Sequence, residues 1–126
     1  MNAMERTGDI DMFQLPERMD SATASGIEKD LLAGLRPGAK LIVDGSEVTY
    51  MSAAGVRAMA TVLHGAEARE AQVVFCRFSG SAADCLEVSG FSQLLDVADT
   101  VEAARERLQS TSADRSNRLH RRGSAG

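Results

Sequence analysis

The chain has 126 residues, of which 44% are hydrophobic and 25% charged, and a formal net charge of −4. A chain of that length has room for one domain that buries roughly two thirds of its unfolded surface, and its composition excludes a fibrous repeat or wholesale disorder. Residues 111–126 contribute +3 of that charge through Arg115, Arg118, Arg121 and Arg122 against Asp114, which leaves −7 on residues 1–110. So acidic a domain is unsuited to neutralising phosphates, which argues against nucleic-acid binding.

Residues 1–8 read as a flexible start. Ile10-Asp11-Met12-Phe13-Gln14-Leu15 alternates apolar and polar side chains, which predicts a strand with one buried face, ended by Pro16. Asp20 or Ser21 can cap the helix that follows, where Ile27, Leu31 and Leu35 recur every four residues. Arg36-Pro37-Gly38 stops it, because proline cannot continue a helix and glycine accepts the positive φ common at its exit.

Leu41-Ile42-Val43, closed by Asp44-Gly45-Ser46, and Val73-Val74-Phe75-Cys76 are short unbroken apolar runs. Such runs suit central strands covered on both faces. Between them Val56, Met59, Ala60 and Leu63 hold the inner positions of a helix, with Arg57, Thr61 and His64 opposite. Strand, helix and strand at that spacing form a βαβ unit with parallel strands and a right-handed crossover.

From Ser79 a short helix runs to a stop at Gly90, and Leu94-Leu95 is the expected last strand. Asp99 with Glu102 resembles a capping box at the head of a final helix whose stripe is Val101, Ala104 and Leu108. The expectation is an α/β fold with a mixed sheet, a parallel βαβ core and about four helices over 9–110, followed by a disordered basic tail over 111–126.

The material for catalysis is thin. The two histidines, His64 and His120, have no His or Cys at metal-ligand spacing, and neither Gly45 nor Gly55 belongs to a phosphate-binding glycine pattern followed by lysine. No enzyme activity, metal or cofactor is therefore expected. Cys76 and Cys85 lie in aliphatic contexts and read as core thiols. The N-terminus lacks a signal-peptide layout and no apolar run approaches the ~20 residues of a membrane span, so a cytoplasmic protein without direct membrane insertion is expected.

One turn stands out. Met51-Ser52-Ala53-Ala54-Gly55 joins the central strand region to the amphipathic helix through small residues. Ser52 is placed as an N-cap accepting from the N–H of Ala54 or Gly55, and Gly55 gives up to ~1 kcal/mol of helix propensity relative to alanine. A tight strand-to-helix turn would look like this, and so would a surface that a partner approaches closely.

Four stretches in order resemble the STAS domain of anti-sigma-factor antagonists and sulfate-transporter tails, over residues 10–109. They are Leu15-Pro16-Glu17-Arg18-Met19-Asp20, Leu41-Ile42-Val43-Asp44 through Gly55-Val56, Cys85-Leu86-Glu87-Val88-Ser89-Gly90-Phe91, and Asp99-Thr100-Val101-Glu102-Ala103-Ala104. The resemblance implies partner switching: a serine kinase that is also the anti-sigma factor binds the loop and releases it after phosphorylating a hydroxyl there. In antagonists that loop reads Asp-Ser-Ser/Thr-Gly, with the second hydroxyl as acceptor. Here it is Ser52-Ala53-Ala54-Gly55, so Ala54 occupies the acceptor position. Two consequences stand open: a protein held in its binding form, or Ser52 taking over as phosphorylation site. The implied surface for that partner, or for a related sensor protein, is Met51, Ser52, Ala53, Ala54, Gly55, Arg57, Thr61 and His64. The alternative function implied by the same resemblance is an accessory subunit of a membrane transport complex.

Overall fold

The computed structural model describes residues 4–90 and 97–109. Its elements in chain order are β1 (Met4–Thr7), β2 (Ile10–Gln14), β3 (Arg18–Met19), α1 (Ala24–Gly34), β4 (Lys40–Asp44) and β5 (Tyr50–Met51). They continue with α2 (Ala53–Ala68), β6 (Gln72–Cys76), α3 (Gly80–Val88), β7 (Val97–Ala98) and a last helix, α4, over 101–109.

The unbroken apolar runs become the middle of the sheet. β4 lies between β2 and β6 in a sheet of order β1-β2-β4-β6-β7, parallel throughout except for the antiparallel β1–β2 pair. Because side chains alternate across a strand, Leu41 and Val43 face one layer and Ile42 the other. The first layer holds α1, α2 and α3 through Ile27, Leu31, Val56, Met59, Val62, Ala82 and Leu86, packed on Phe13, Leu15 and Phe75. The second gathers Ile42, Val74 and Cys76 under Ala104 and Leu108 of α4.

The expected flexible start is instead partly strand. Gly8, at φ +63°, turns the chain tightly so that Thr7 pairs with Ile10 and Met4 with Phe13. Arg6 then holds β1 down, donating to Asp11 at 3.0 Å and to the Gly34 carbonyl at 3.0 Å. β2 is also buried on both faces and not on one: Ile10 packs in the second layer and Phe13 in the first, and Asp11, on the Phe13 face, is buried as well, where Arg36 reaches it at 3.3 Å.

Smaller differences have local causes. The buried stripe of α2 is Val56, Ala58, Met59, Val62 and Ala66, so Ala60 and Leu63 sit on its half-buried flank. α4 is capped by Thr100, whose Oγ1 accepts from the Ala103 N–H at 3.0 Å, and not by Asp99. Before α1, the Asp20 carboxylate accepts from the N–H groups of Ala22 at 2.9 Å and Thr23 at 3.2 Å, so the regular helix starts at Ala24. The expected strand at Leu94-Leu95 and the tail over 111–126 lie outside the described residues.

Candidate functional site

A second, two-stranded sheet builds the turn before α2. β3 and β5 run parallel, pairing Arg18 with Tyr50 and Met19 with Met51. The Glu17 carbonyl accepts from the Thr49 N–H at 2.8 Å and the Tyr50 N–H at 3.3 Å. Ser81, in the first turn of α3, donates from Oγ to the Thr49 carbonyl at 2.9 Å. Outside the pair, the Arg18 guanidinium lies 4.6 Å from the centre of the Tyr50 ring, a cation–π contact. Arg18 also donates to Asp20, and that bond is the largest cause of an Asp20 carboxyl held below its ordinary value.

Ser52 takes the N-cap backbone position, with φ −100° and ψ 177°, but its side chain makes no cap bond. Its hydroxyl donates back to the Met19 carbonyl at 3.4 Å, the same oxygen that accepts the Ser52 N–H at 2.9 Å. The expected bond from Ala54 or Gly55 into Ser52 is therefore absent, and the hydroxyl is turned toward β3 instead. Gly55 is small for an internal reason too: a Cβ there would meet the Met19 carbonyl oxygen at 2.7 Å and the Met51 Cγ at 3.0 Å.

The residues singled out in the sequence thus divide. Met51 and Gly55 are buried and shape the turn from within. Ala53 is exposed, with Ser52 and Ala54 half-buried beside it. Arg57, Thr61 and His64 are exposed along one face of α2. Thr61 donates to the Arg57 carbonyl at 3.0 Å, and His64 Nδ1 lies 3.7 Å from Glu67 Oε1. Among the described residues no group of three His, Cys, Asp or Glu side chains could hold a metal ion, and no helix is long and apolar enough to cross a membrane.

Sequence reasoning missed two features. One is the Asp44–Arg77 pair, which ties the loop after β4 to the loop after β6. Asp44 accepts from Arg77 Nε at 3.1 Å, from Arg77 Nη2, and from the Ser46 N–H at 2.9 Å. Burial alone would raise the Asp44 pKa, but these hydrogen bonds outweigh it and hold the carboxyl below its ordinary value. Arg77 adopts φ +62°, an uncommon conformation for a residue other than glycine, which aims its backbone N–H at the Ala98 carbonyl. The other is a cleft of about 360 Å³ between the start of α2 and the end of α3, lined by Ala53, Val56, Arg57, Cys85, Val88 and Ser89. The apolar spacing of both helices was legible, but not that they leave a gap. Of the two free cysteines, Cys76 is buried and Cys85 half-buried. Burial first, and then the Asp44 charge, pushes the Cys76 thiol up to about 11.

Comparison with known proteins places this geometry. The family model for the STAS domain matches residues 2–104. A protein described as the anti-sigma factor antagonist BtrV of Bordetella bronchiseptica is 30% identical over 87 residues, 68% of this chain and 75% of that one. The STAS-domain anti-sigma-factor antagonist of Planctomyces limnophilus superposes with a TM-score of 0.76 at 12% identity, over 86% of this chain and 97% of that one. The anti-sigma factor antagonist SpoIIAA matches in its unphosphorylated form with a TM-score of 0.70 at 18% identity, over 87% and 97% of the two chains. Its phosphorylated form matches with a TM-score of 0.62 at 19% identity, over 86% and 99%. With a parallel-cored mixed sheet, a two-stranded annex carrying the turn into α2, and a family match over most of its length, the chain belongs to the STAS domain family.

Proposed function

We propose that the chain is a cytoplasmic, non-enzymatic regulatory binding protein of the anti-sigma-factor-antagonist type. It engages a serine kinase or anti-sigma factor through Ser52, Ala53 and Ala54 and the α2 face of Arg57, Thr61 and His64, with Met51 and Gly55 shaping the turn beneath. The observation that carries this reading is the start of α2: small side chains at the surface, with the Ser52 hydroxyl turned toward Met19. Ala54 stands at the acceptor position of the family loop. Ser52 is committed to the Met19 carbonyl, at 3.4 Å through its hydroxyl and 2.9 Å through its N–H, which supports an anchoring role over that of a displaced acceptor.

In a switching antagonist a phosphoryl group adds roughly −2 of charge to a close contact and breaks it. Without an acceptor that release route is missing, and the chain stays competent to bind. Titrating the purified kinase/anti-sigma partner by calorimetry tests this. Wild type should bind, and Ala54→Glu should weaken binding by about 10–100-fold, the ordinary effect of a charge in an interface centre. Intact mass after incubation with the kinase and ATP should show no added phosphate. Binding that survives both Ala54→Glu and Ser52→Glu unchanged would sink the proposal.

A further inference from the structure

The cleft beside the turn has a floor and a rim of different chemistry. Ala53 and Val56 of α2 face Cys85 and Val88 of α3, so the floor is apolar. Val88 is 88% exposed, which leaves a large apolar side chain standing at the open edge. Its volume of about 360 Å³ suits one or two large apolar side chains. Arg57 lies on the rim, and among the described residues no carboxylate pairs with its guanidinium. Without Arg57, residues 1–110 carry −8, since the −7 of the whole stretch includes its charge, a surface that turns acidic segments away. An acidic approach is favoured at Arg57 and penalised around it, so charge fixes where such a segment can land.

We propose that this cleft is the anchor pocket of the partner interface, and that it receives an amphipathic helix presenting an apolar side chain with a carboxylate about one turn away. The apolar side chain fills the space between Val56, Cys85 and Val88, and the carboxylate pairs with Arg57. A helix brings residues three and four apart onto one face, so it can present an apolar side chain to the floor and a carboxylate to the rim together. α3, to which no role in binding was assigned above, thereby becomes the second wall of the interface. The inference rests on the binding role proposed above, and names the partner chemistry for it.

Cys85 reports on the cleft directly, because Cys76 is buried with its thiol pushed up to about 11 and stays silent near neutral pH. The experiment follows the reaction of the native chain with a chromogenic aromatic disulfide, alone and with the purified kinase/anti-sigma partner. Calorimetry on Val88→Asp, Arg57→Glu and the α1 control Lys29→Glu runs beside it. Partner binding should slow the Cys85 reaction about tenfold or more, Val88→Asp and Arg57→Glu should each weaken binding about tenfold, and Lys29→Glu should bind as wild type. If the partner binds wild type but Cys85 reacts at its free rate, the cleft is not the anchor and only the loop reading survives. If wild type does not bind the partner, both readings fall. Protection of Cys85 by decanoate, with partner binding indifferent to Val88→Asp, assigns the cleft to an acyl chain and overturns the proposal. Protection that grows with the concentration of the chain itself assigns it to a second copy and does the same. The Cys85 arm uses the unmodified chain, so a variant that misfolds cannot shelter the idea.

Discussion

Gly55 and Met19 are in contact without a side chain on one of them: a Cβ on Gly55 would lie 2.7 Å from the Met19 carbonyl oxygen and 2.9 Å from the Met19 Cβ. The start of α2 is therefore pressed against β3 as closely as backbone allows. Two effects compete in Gly55→Ala. Helix propensity favours alanine by ~1 kcal/mol, whereas forcing a methyl group against packed backbone costs about 1–3 kcal/mol. The obstacle is a carbonyl, not the flexible end of a side chain, so the clash should win. Gly55→Ala should lower the urea midpoint with the slope unchanged, a net loss of up to about 2 kcal/mol. An equal or higher midpoint would mean that α2 can withdraw from β3 at little cost.

Asp44 should make the fold acid-sensitive through Arg77. The native carboxyl titrates below its ordinary value of 3.8, so the stability it lends is complete above that value and drains as pH falls through the lower native one. Arg77→Met removes the donor and leaves Asp44, 4% exposed, with Ser46, through its N–H and its side chain. The cost near neutral pH should be about 1–2 kcal/mol, the low end for a buried charged acceptor, since the Arg77 side chain is 45% exposed and solvent-screened. The acid-unfolding midpoint should move to higher pH, followed by circular dichroism. An unmoved midpoint would show that Ser46 suffices.

What the sequence made legible was what local pattern encodes. The runs Leu41-Ile42-Val43 and Val73–Cys76 announce central strands because both faces must be apolar, and both occupy adjacent parallel places in the sheet. The Ile27/Leu31/Leu35 spacing gives α1 and its stop in the same way. β1 escaped because Met4-Glu5-Arg6-Thr7 carries little apolar signal and is fixed by Arg6 reaching Asp11 and Gly34. Asp44 and Arg77 are 33 residues apart and meet only once β4 and β6 pair. At the site, position and smallness were readable but direction was not: nothing local says that the Ser52 hydroxyl turns to Met19 or that Gly55 serves Met19 before any partner.

Asp11 receives Arg6 at 3.0 Å and Arg36 at 3.3 Å while its own side chain is only 2% exposed. Either arginine can partly replace the other, but losing both leaves a buried carboxylate unpaired. Arg6→Met and Arg36→Met should each cost ~1 kcal/mol or less, since both side chains are substantially exposed. The double variant should cost more than the sum by about 1 kcal/mol or more. A urea double-mutant cycle measures this coupling, and additivity would mean that water already reaches Asp11.

The buried thiol predicts the opposite pH limb. Cys76 titrates at about 11, above its ordinary 9.0, so the stability tied to the neutral thiol is complete below 9.0 and is lost as pH rises through about 11. Cys76→Ala should be less stable at neutral pH by about 1 kcal/mol or more from lost packing, yet lose less stability than wild type between those two values. Parallel urea titrations at rising pH compare the slopes. Equal slopes would show that Cys76 ionises as freely in the fold as out of it.

The last expectation concerns the trigger itself. Ala54 lies in the first turn of α2 beside exposed Ala53 and is half-buried, as is Ser52, whose hydroxyl is turned to the Met19 carbonyl. Serine at a first-turn position costs only a few tenths of a kcal/mol in helix propensity, and Ala54→Ser should fold and bind the kinase/anti-sigma partner like wild type. With ATP, the variant should gain one phosphate by intact mass and then lose the partner, because a doubly charged group enters a contact made for a methyl. The free N–H groups and dipole at the helix start would stabilise that phosphate within the chain, so the loss would come from the interface and not from unfolding. Wild type and Ser52→Ala should remain unmodified and bound under the same conditions. A phosphate on wild type that disappears in Ser52→Ala would make Ser52 the working acceptor and require its hydroxyl to leave Met19 before reacting.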